Sequence, residues 1–141
     1  MAFEIKSPPE FTTNIEEWNR ETFADGAAMS NVPEKLLNND VYLKTELERQ
    51  EHTSLITLVS TGWTGSTAPY SQTVLVPDAV DGMEPTVVSA LADGADEATQ
   101  KAYVKVFGII CGGTAELGNG QATFKVYKKP ETDITIGLRG V

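Results

Sequence analysis

The chain is poor in the residues that build reactive or covalently braced sites. It has one cysteine, Cys111, and one histidine, His52, among 141 residues. A lone cysteine excludes an internal disulfide. One Cys and one His cannot complete a zinc site by themselves. Long apolar runs are missing as well. The longest, Val104 to Cys111, is broken by Lys105 and Gly108 and is far too short to cross a bilayer. The opening Met1-Ala2-Phe3-Glu4 has no basic stretch followed by an apolar one, so no secretion signal is expected and synthesis is expected in the cytoplasm. Positive charge is scarce: 11 basic residues stand against 20 acidic, a net charge of −9. Lys125, Lys128 and Lys129 form the only local basic group, and they read as the solvent face of a strand. Binding to a phosphate backbone needs clustered Lys and Arg, so neither nucleic acid nor a membrane is an expected partner.

What remains is a chain of two textures. Residues 1–54 carry 11 acidic and 5 basic side chains and are rich in Glu, Asn and Leu. Residues 55–141 carry 9 acidic and 6 basic and are rich in Val, Ile, Thr and Gly. The expected divisions are an extended arm over 1–32, a helix over 33–52 and a β domain over 53–141.

In the arm, Pro8 and Pro9 dictate an extended start. Phe3, Phe11, Trp18 and Phe23 are large apolar groups without a regular period. A segment of this kind has little to offset an ordering cost of about 1–2 kcal/mol per residue. These four residues are therefore candidates for docking on a partner, with folding back onto the chain's own domain as the alternative.

Pro33 suits the first turn of a helix, where its missing N–H would have no partner anyway. Pro33–Glu51 contains good helix formers and no Gly. Leu36, Leu43 and Leu47 fall on one stripe, interrupted by Asp40 at a core-like position, and Leu37 and Val41 widen the apolar face. An Asp40–Lys44 pair at i,i+4 favours the helix. The stripe makes Leu36, Leu43 and Leu47 candidates for self-association. Packing on the chain's own domain is the alternative, and the segment falls short of three heptads.

The second half reads as six short strands: Leu55–Ser60, Gln72–Val76, Thr86–Leu91, Val104–Cys111, Gln121–Lys128 and Asp133–Arg139. Ala122, Phe124 and Val126 alternate with Thr123, Lys125 and Tyr127, and Ile134, Ile136 and Leu138 repeat the pattern. Ala95–Tyr103 breaks it and predicts a short helix capped by Asp93 or Asp96. Asn119-Gly120 predicts a turn joining Val104–Cys111 to Gln121–Lys128. The expected fold is a mainly β, small antiparallel sandwich with one short helix, preceded by the arm and the amphipathic helix.

No catalytic constellation emerges, and an enzyme is not expected. Gly112, Gly113, Gly118 and Gly120 lack the Lys-Ser/Thr of a phosphate loop and read as turn residues. The acids Asp78, Asp81 and Glu84, and Asp93, Asp96 and Glu97, lack the spacing of a calcium hand. Structural calcium bound from separate loops stays open. His52 has only sequence neighbours, Glu51 and Ser54, as partners for a triad. Cys111 is expected as a small buried hydrophobe in a strand. No cofactor is expected. The loop from Gly62 to Val74 gathers Trp63, Pro69 and Tyr70. Trp63 reads first as a plug closing one end of the sandwich. The alternative makes Trp63 and Tyr70 a surface on which sugar rings stack.

The order of several strings along the chain resembles a small domain of tail-fibre and related structural proteins of phages and prophages from Gram-positive bacteria. The strings are Trp63, Ala68-Pro69-Tyr70-Ser71-Gln72-Thr73-Val74, Pro85-Thr86-Val87-Val88 and Lys129-Pro130-Glu131-Thr132-Asp133-Ile134. Leu36-Leu37-Asn38-Asn39-Asp40-Val41-Tyr42-Leu43-Lys44 resembles the segment preceding such domains. The resemblance implies a virion appendage protein that is a homo-oligomer, trimeric before dimeric. It further implies an exterior location on the particle, contacts with other virion structural proteins, and display toward a host-surface glycan. A capsid decoration or head-fibre protein and a carbohydrate-binding module are the alternatives. The resemblance implies no reaction and no ligand residues.

Overall fold

The computed structural model describes residues 3–15 and 26–141. The chain divides into two compact units, Met1–Arg49 and Gln50–Val141.

In the first unit, residues 3–15 form an extended strap without helix or strand. Helix α1 spans Gly26–Glu51, 26 residues, or about 39 Å at ~1.5 Å per residue. It therefore begins seven residues before the expected start. Pro33 lies inside it rather than in its first turn. A proline cannot supply the N–H that the carbonyl of Met29 would receive in a regular helix. The expected arm over 1–32 is accordingly shorter, because its last residues are helical. Trp18 and Phe23, two of the expected docking residues, lie outside the described residues.

The second unit carries six strands: β1 (Thr53–Leu58), β2 (Tyr70–Leu75), β3 (Thr86–Ser89), β4 (Thr114–Gly118), β5 (Gln121–Val126) and β6 (Ile134–Arg139). They form two antiparallel three-stranded sheets, ordered β1-β6-β3 and β2-β5-β4. Alternation explains the register. Ala122, Phe124 and Val126 point inward from β5, and Ile134, Ile136 and Leu138 from β6. Leu58, Trp63, Val76 and Leu117 complete a shared core, so this is the expected mainly β domain. At ~25 cal/mol per Å², each fully buried large aliphatic or aromatic side chain contributes about 1.5–3 kcal/mol. Gly137 sits in the middle strand, where a Cβ would lie 2.6 Å from Val88 Cγ2 and 2.7 Å from Thr53 Cγ2. Only a bare backbone lets the flanking strands close over it.

One element differs in kind from its expectation. Val104–Cys111 is not a strand; it is the second half of helix α2 (Glu97–Cys111). Asp96 caps this helix, accepting a hydrogen bond from Thr99 N at 2.8 Å. Tyr103, Val106, Phe107 and Ile110 recur at helical spacing and face the core. The Tyr103 hydroxyl accepts from Ala90 N and donates to Thr135 O, both at 2.9 Å, tying α2 to the end of β3 and to β6. The hairpin predicted at Asn119-Gly120 exists, but it joins β4 to β5, with Gly120 at φ +75°. Cys111 is exposed at the end of α2 rather than buried in a strand.

Candidate functional site

The described residues offer little for chemistry. No group of three or more His, Cys, Asp and Glu side chains among them could hold a metal ion. His52 Nδ1–H donates to the carbonyl oxygen of Val141 at 2.6 Å, a contact that joins the start of β1 to the residues after β6. Neither Glu51 nor Ser54 takes part in that bond. The Cys111 thiol is pushed up by partial burial, away from the reactive thiolate. An open depression of about 300 Å³ lies beside α2, between Lys101, Lys105 and Ile109 on the helix and Glu131 and Thr132, and the Lys105–Glu131 ion pair (2.7 Å) spans it.

Trp63 is 5% exposed and belongs to the core. A buried ring has no free face for a sugar, so its surface-recognition alternative is corrected in favour of the plug. Its Nε1–H and Gln72 Oε1 are both buried without a hydrogen-bond partner. Tyr70 is half-buried and lies under the Lys129 ammonium, 4.6 Å from the ring centroid. On the outer face of β2-β5-β4, Thr73 and Thr123 pair through their hydroxyls at 2.9 Å, with Lys125 bound to Glu116 at 3.0 Å beside them.

The first unit is organised differently. Among its described residues the buried side chains are polar: Asn38 and Asn39. Asn38 Oδ1 accepts from Lys6 N at 2.8 Å, and its Nδ2 donates to Glu4 O at 3.1 Å and to Glu34 O at 2.9 Å. Asn39 Oδ1 accepts from Thr12 N at 2.7 Å, while its Nδ2 donates to Thr12 O at 2.8 Å. Each amide thus receives a backbone N–H and donates to a carbonyl of the strap, as a neighbouring strand would. The rings of Phe11 and Tyr42 add a tilted contact at 5.6 Å. The strap is therefore held within one chain by α1, where little to order it was expected.

Because the strap is held by its backbone, its large side chains stay out: Phe3 and Phe11 are each 48% exposed. The expected self-association residues are also brought together and left uncovered. Leu36, Leu43 and Leu47 are 48%, 55% and 57% exposed. The earlier helix start adds Met29, also exposed, to the line on which Pro33 already lies. Met29, Pro33, Leu36, Asp40, Leu43 and Leu47 now alternate in steps of four and three. At about 100° per residue this seam falls within an arc of roughly 80°, and the half-buried Leu37 and Val41 widen the apolar face to one side. Lys44 approaches Glu48 at 3.7 Å.

Sequence reasoning passed over the two asparagines as anchors. Their signal was faint: two adjacent poor helix formers in the middle of a helix otherwise made of good ones. The chain matches no protein-family model, no curated protein and no solved structure.

Proposed function

We propose that the chain is a structural subunit of a phage-type particle, a short tail-fibre or appendage protein. It attaches by its first unit and displays its β unit outward. The observation that carries this reading is that the buried apolar core is confined to one unit. Every fully buried apolar side chain among the described residues lies between Ile56 and Val141, whereas Phe3, Phe11, Met29, Leu36, Leu43 and Leu47 are exposed. A self-sufficient domain joined to a segment with uncovered apolar rows is the construction expected of a subunit whose one end is completed by neighbours. The docking rows on the strap suit another structural protein of the particle, and the seam on α1 suits further copies of the chain, three before two. The hydroxyl-lined outer face around Thr73 and Thr123 is the surface available to a host glycan. The resemblance of the strings from Leu36 to Ile134 to phage appendage domains supports the same reading.

The test is to purify phage-like particles from a culture expressing the chain and to label them with an antibody to the β unit. Label on the tail or baseplate of intact particles is the expected result. Label on the head would move the chain to a capsid decoration role, and protein found only outside particles would overturn the proposal.

A further inference from the structure

Asn38 and Asn39 hold the strap as a binding site holds a peptide. Asn39 reads one residue at two points: Oδ1 accepts from Thr12 N at 2.7 Å and Nδ2 donates to Thr12 O at 2.8 Å. That is the exchange a paired strand would make. Asn38 does the same across Lys6 N and Glu4 O. Its second amide hydrogen goes to Glu34 O, one turn back, which fixes the way the carboxamide faces. The two asparagines are only 4% and 9% exposed. The strap offers them its backbone. The Glu4 and Lys6 side chains are exposed, and the Lys6 ammonium is bound to Glu10 of the strap itself at 2.7 Å. Phe11 adds a ring contact with Tyr42.

We propose that Asn38 and Asn39 form a peptide-binding site, filled within one chain by the chain's own strap, and that in crowded assemblies the strap of a second copy fills it in the same geometry. The shape of the bound segment selects this occupant. Six residues from Lys6 to Thr12 would span about 20 Å if straight. They instead reach asparagines at adjacent helix positions, with a bend at Ser7-Pro8. The Lys6–Glu10 pair closes across that bend from within the strap. A second copy's strap brings the bend and the pair with it, whereas an arbitrary peptide would have to acquire both.

The hold on the strap is also of a kind that permits exchange. Its hydrogen bonds are individually weak in water, and Phe3, Ile5 and Phe11 remain exposed instead of anchoring it in a core. Exchanging an identical segment replaces each bond by its equal. The balance is then set by concentration, with the chain's own strap favoured in dilute solution and the neighbour's gaining as copies are crowded together. The exposed leucines of α1 play no part in this, so strap exchange and association through that helix are separable.

Disulfide trapping in the full chain tests this, with Cys111→Ser as background because that thiol is exposed. One preparation carries Phe11→Cys and the other Tyr42→Cys, at positions whose rings meet in the native chain. The two are mixed over a roughly hundredfold range of concentration and oxidised gently, and the links are identified by mass spectrometry. A chain carrying both substitutions reports closure within one molecule. The expected result is a dimer linked between positions 11 and 42 whose yield rises with concentration. Adding Asn38→Ala and Asn39→Ala to both partners should lower that yield roughly tenfold or more. Glu4→Ala and Thr12→Ala should leave it unchanged, since only their backbones are bound. If the doubly substituted chain closes on itself but the mixture gives no more dimer than its asparagine-free counterpart, exchange is overturned and the contact within one chain stands. If the doubly substituted chain does not close, the site itself is overturned. Loss of the dimer in Glu4→Ala or Thr12→Ala would overturn recognition through the backbone. None of these outcomes depends on where the chain sits in a particle.

Discussion

The two units use their residues in opposite ways. In Gln50–Val141 a core of apolar side chains is buried, with Leu55, Leu75, Val104 and Tyr127 left exposed, and the cross-strand hydroxyl and ion pairs are outside. Among the described residues of Met1–Arg49 two amides are buried, and Phe3, Phe11, Met29, Leu36, Leu43 and Leu47 are exposed. The first arrangement gains stability from removing apolar surface from water. The second captures an extended backbone through hydrogen bonds, each of which contributes only about 0.5–1.5 kcal/mol net. The contrast teaches that compactness and stability need not coincide. In the proposed assembly a neighbour would add the apolar burial that the described residues of the first unit lack.

Substitutions can break this contrast. The largest effect should come from Trp63→Ala, which removes a buried ring and should lower the stability of the β unit by about 3–5 kcal/mol in denaturant melts. Trp63→Phe should cost much less, because the indole N–H has no partner to lose. Gly137→Ala should follow, at about 1–3 kcal/mol, because the added carbon meets Val88 and Thr53. Leu43→Ala, with a side chain of similar apolar character, should leave the melt of the dilute single chain within about 0.5 kcal/mol. An equal loss for Leu43→Ala and Trp63→Ala would erase the distinction between the units.

The strap supplies a smaller effect. Asn39→Ala removes both hydrogen bonds to Thr12 and should free the strap locally. Hydrogen exchange should quicken at the amides of Thr12 and Lys6 and stay unchanged in β5 and β6. A change spread across both units would show them to be energetically one. The smallest effect concerns acid. Hydrogen bonds from Thr99 hold Asp96 below its ordinary value, first from its backbone N–H and then from its side chain; Ser60 does the same for Asp133 in the same order. Both carboxylates are depressed in the folded state. Their contribution is present above the unfolded value and is lost as pH falls through the folded one. Nuclear magnetic resonance titration should find both below the usual aspartate range, and Asp96→Asn and Asp133→Asn should flatten the acid side of the stability profile of the β unit.

How much of this was legible in the sequence depended on how local the cause was. Gln121–Val126 and Ile134–Arg139 could be read because alternation is written in consecutive residues and both strands bury one face. Val104–Cys111 misled because its β-branched content resembles a buried strand. The helical recurrence of Tyr103, Val106, Phe107 and Ile110, and the cap at Asp96, were the better guide. Strand β4 has only Leu117 buried, so Thr114–Gly118 offered no pattern. The seam was half visible: Leu36, Leu43 and Leu47 were plain, but Pro33 masked the earlier start that adds Met29. The asparagine anchors act across 27 to 34 positions, and no local period records such a contact.

The separation of folding from assembly is tested most directly by comparing the full chain with a fragment spanning 50–141, in sedimentation and in thermal melts. The separation predicts that the fragment is monomeric and melts cooperatively, while the full chain self-associates at micromolar concentration and keeps a melting transition for the β unit. A fragment that fails to fold, or a full chain that stays monomeric at micromolar concentration, would contradict it.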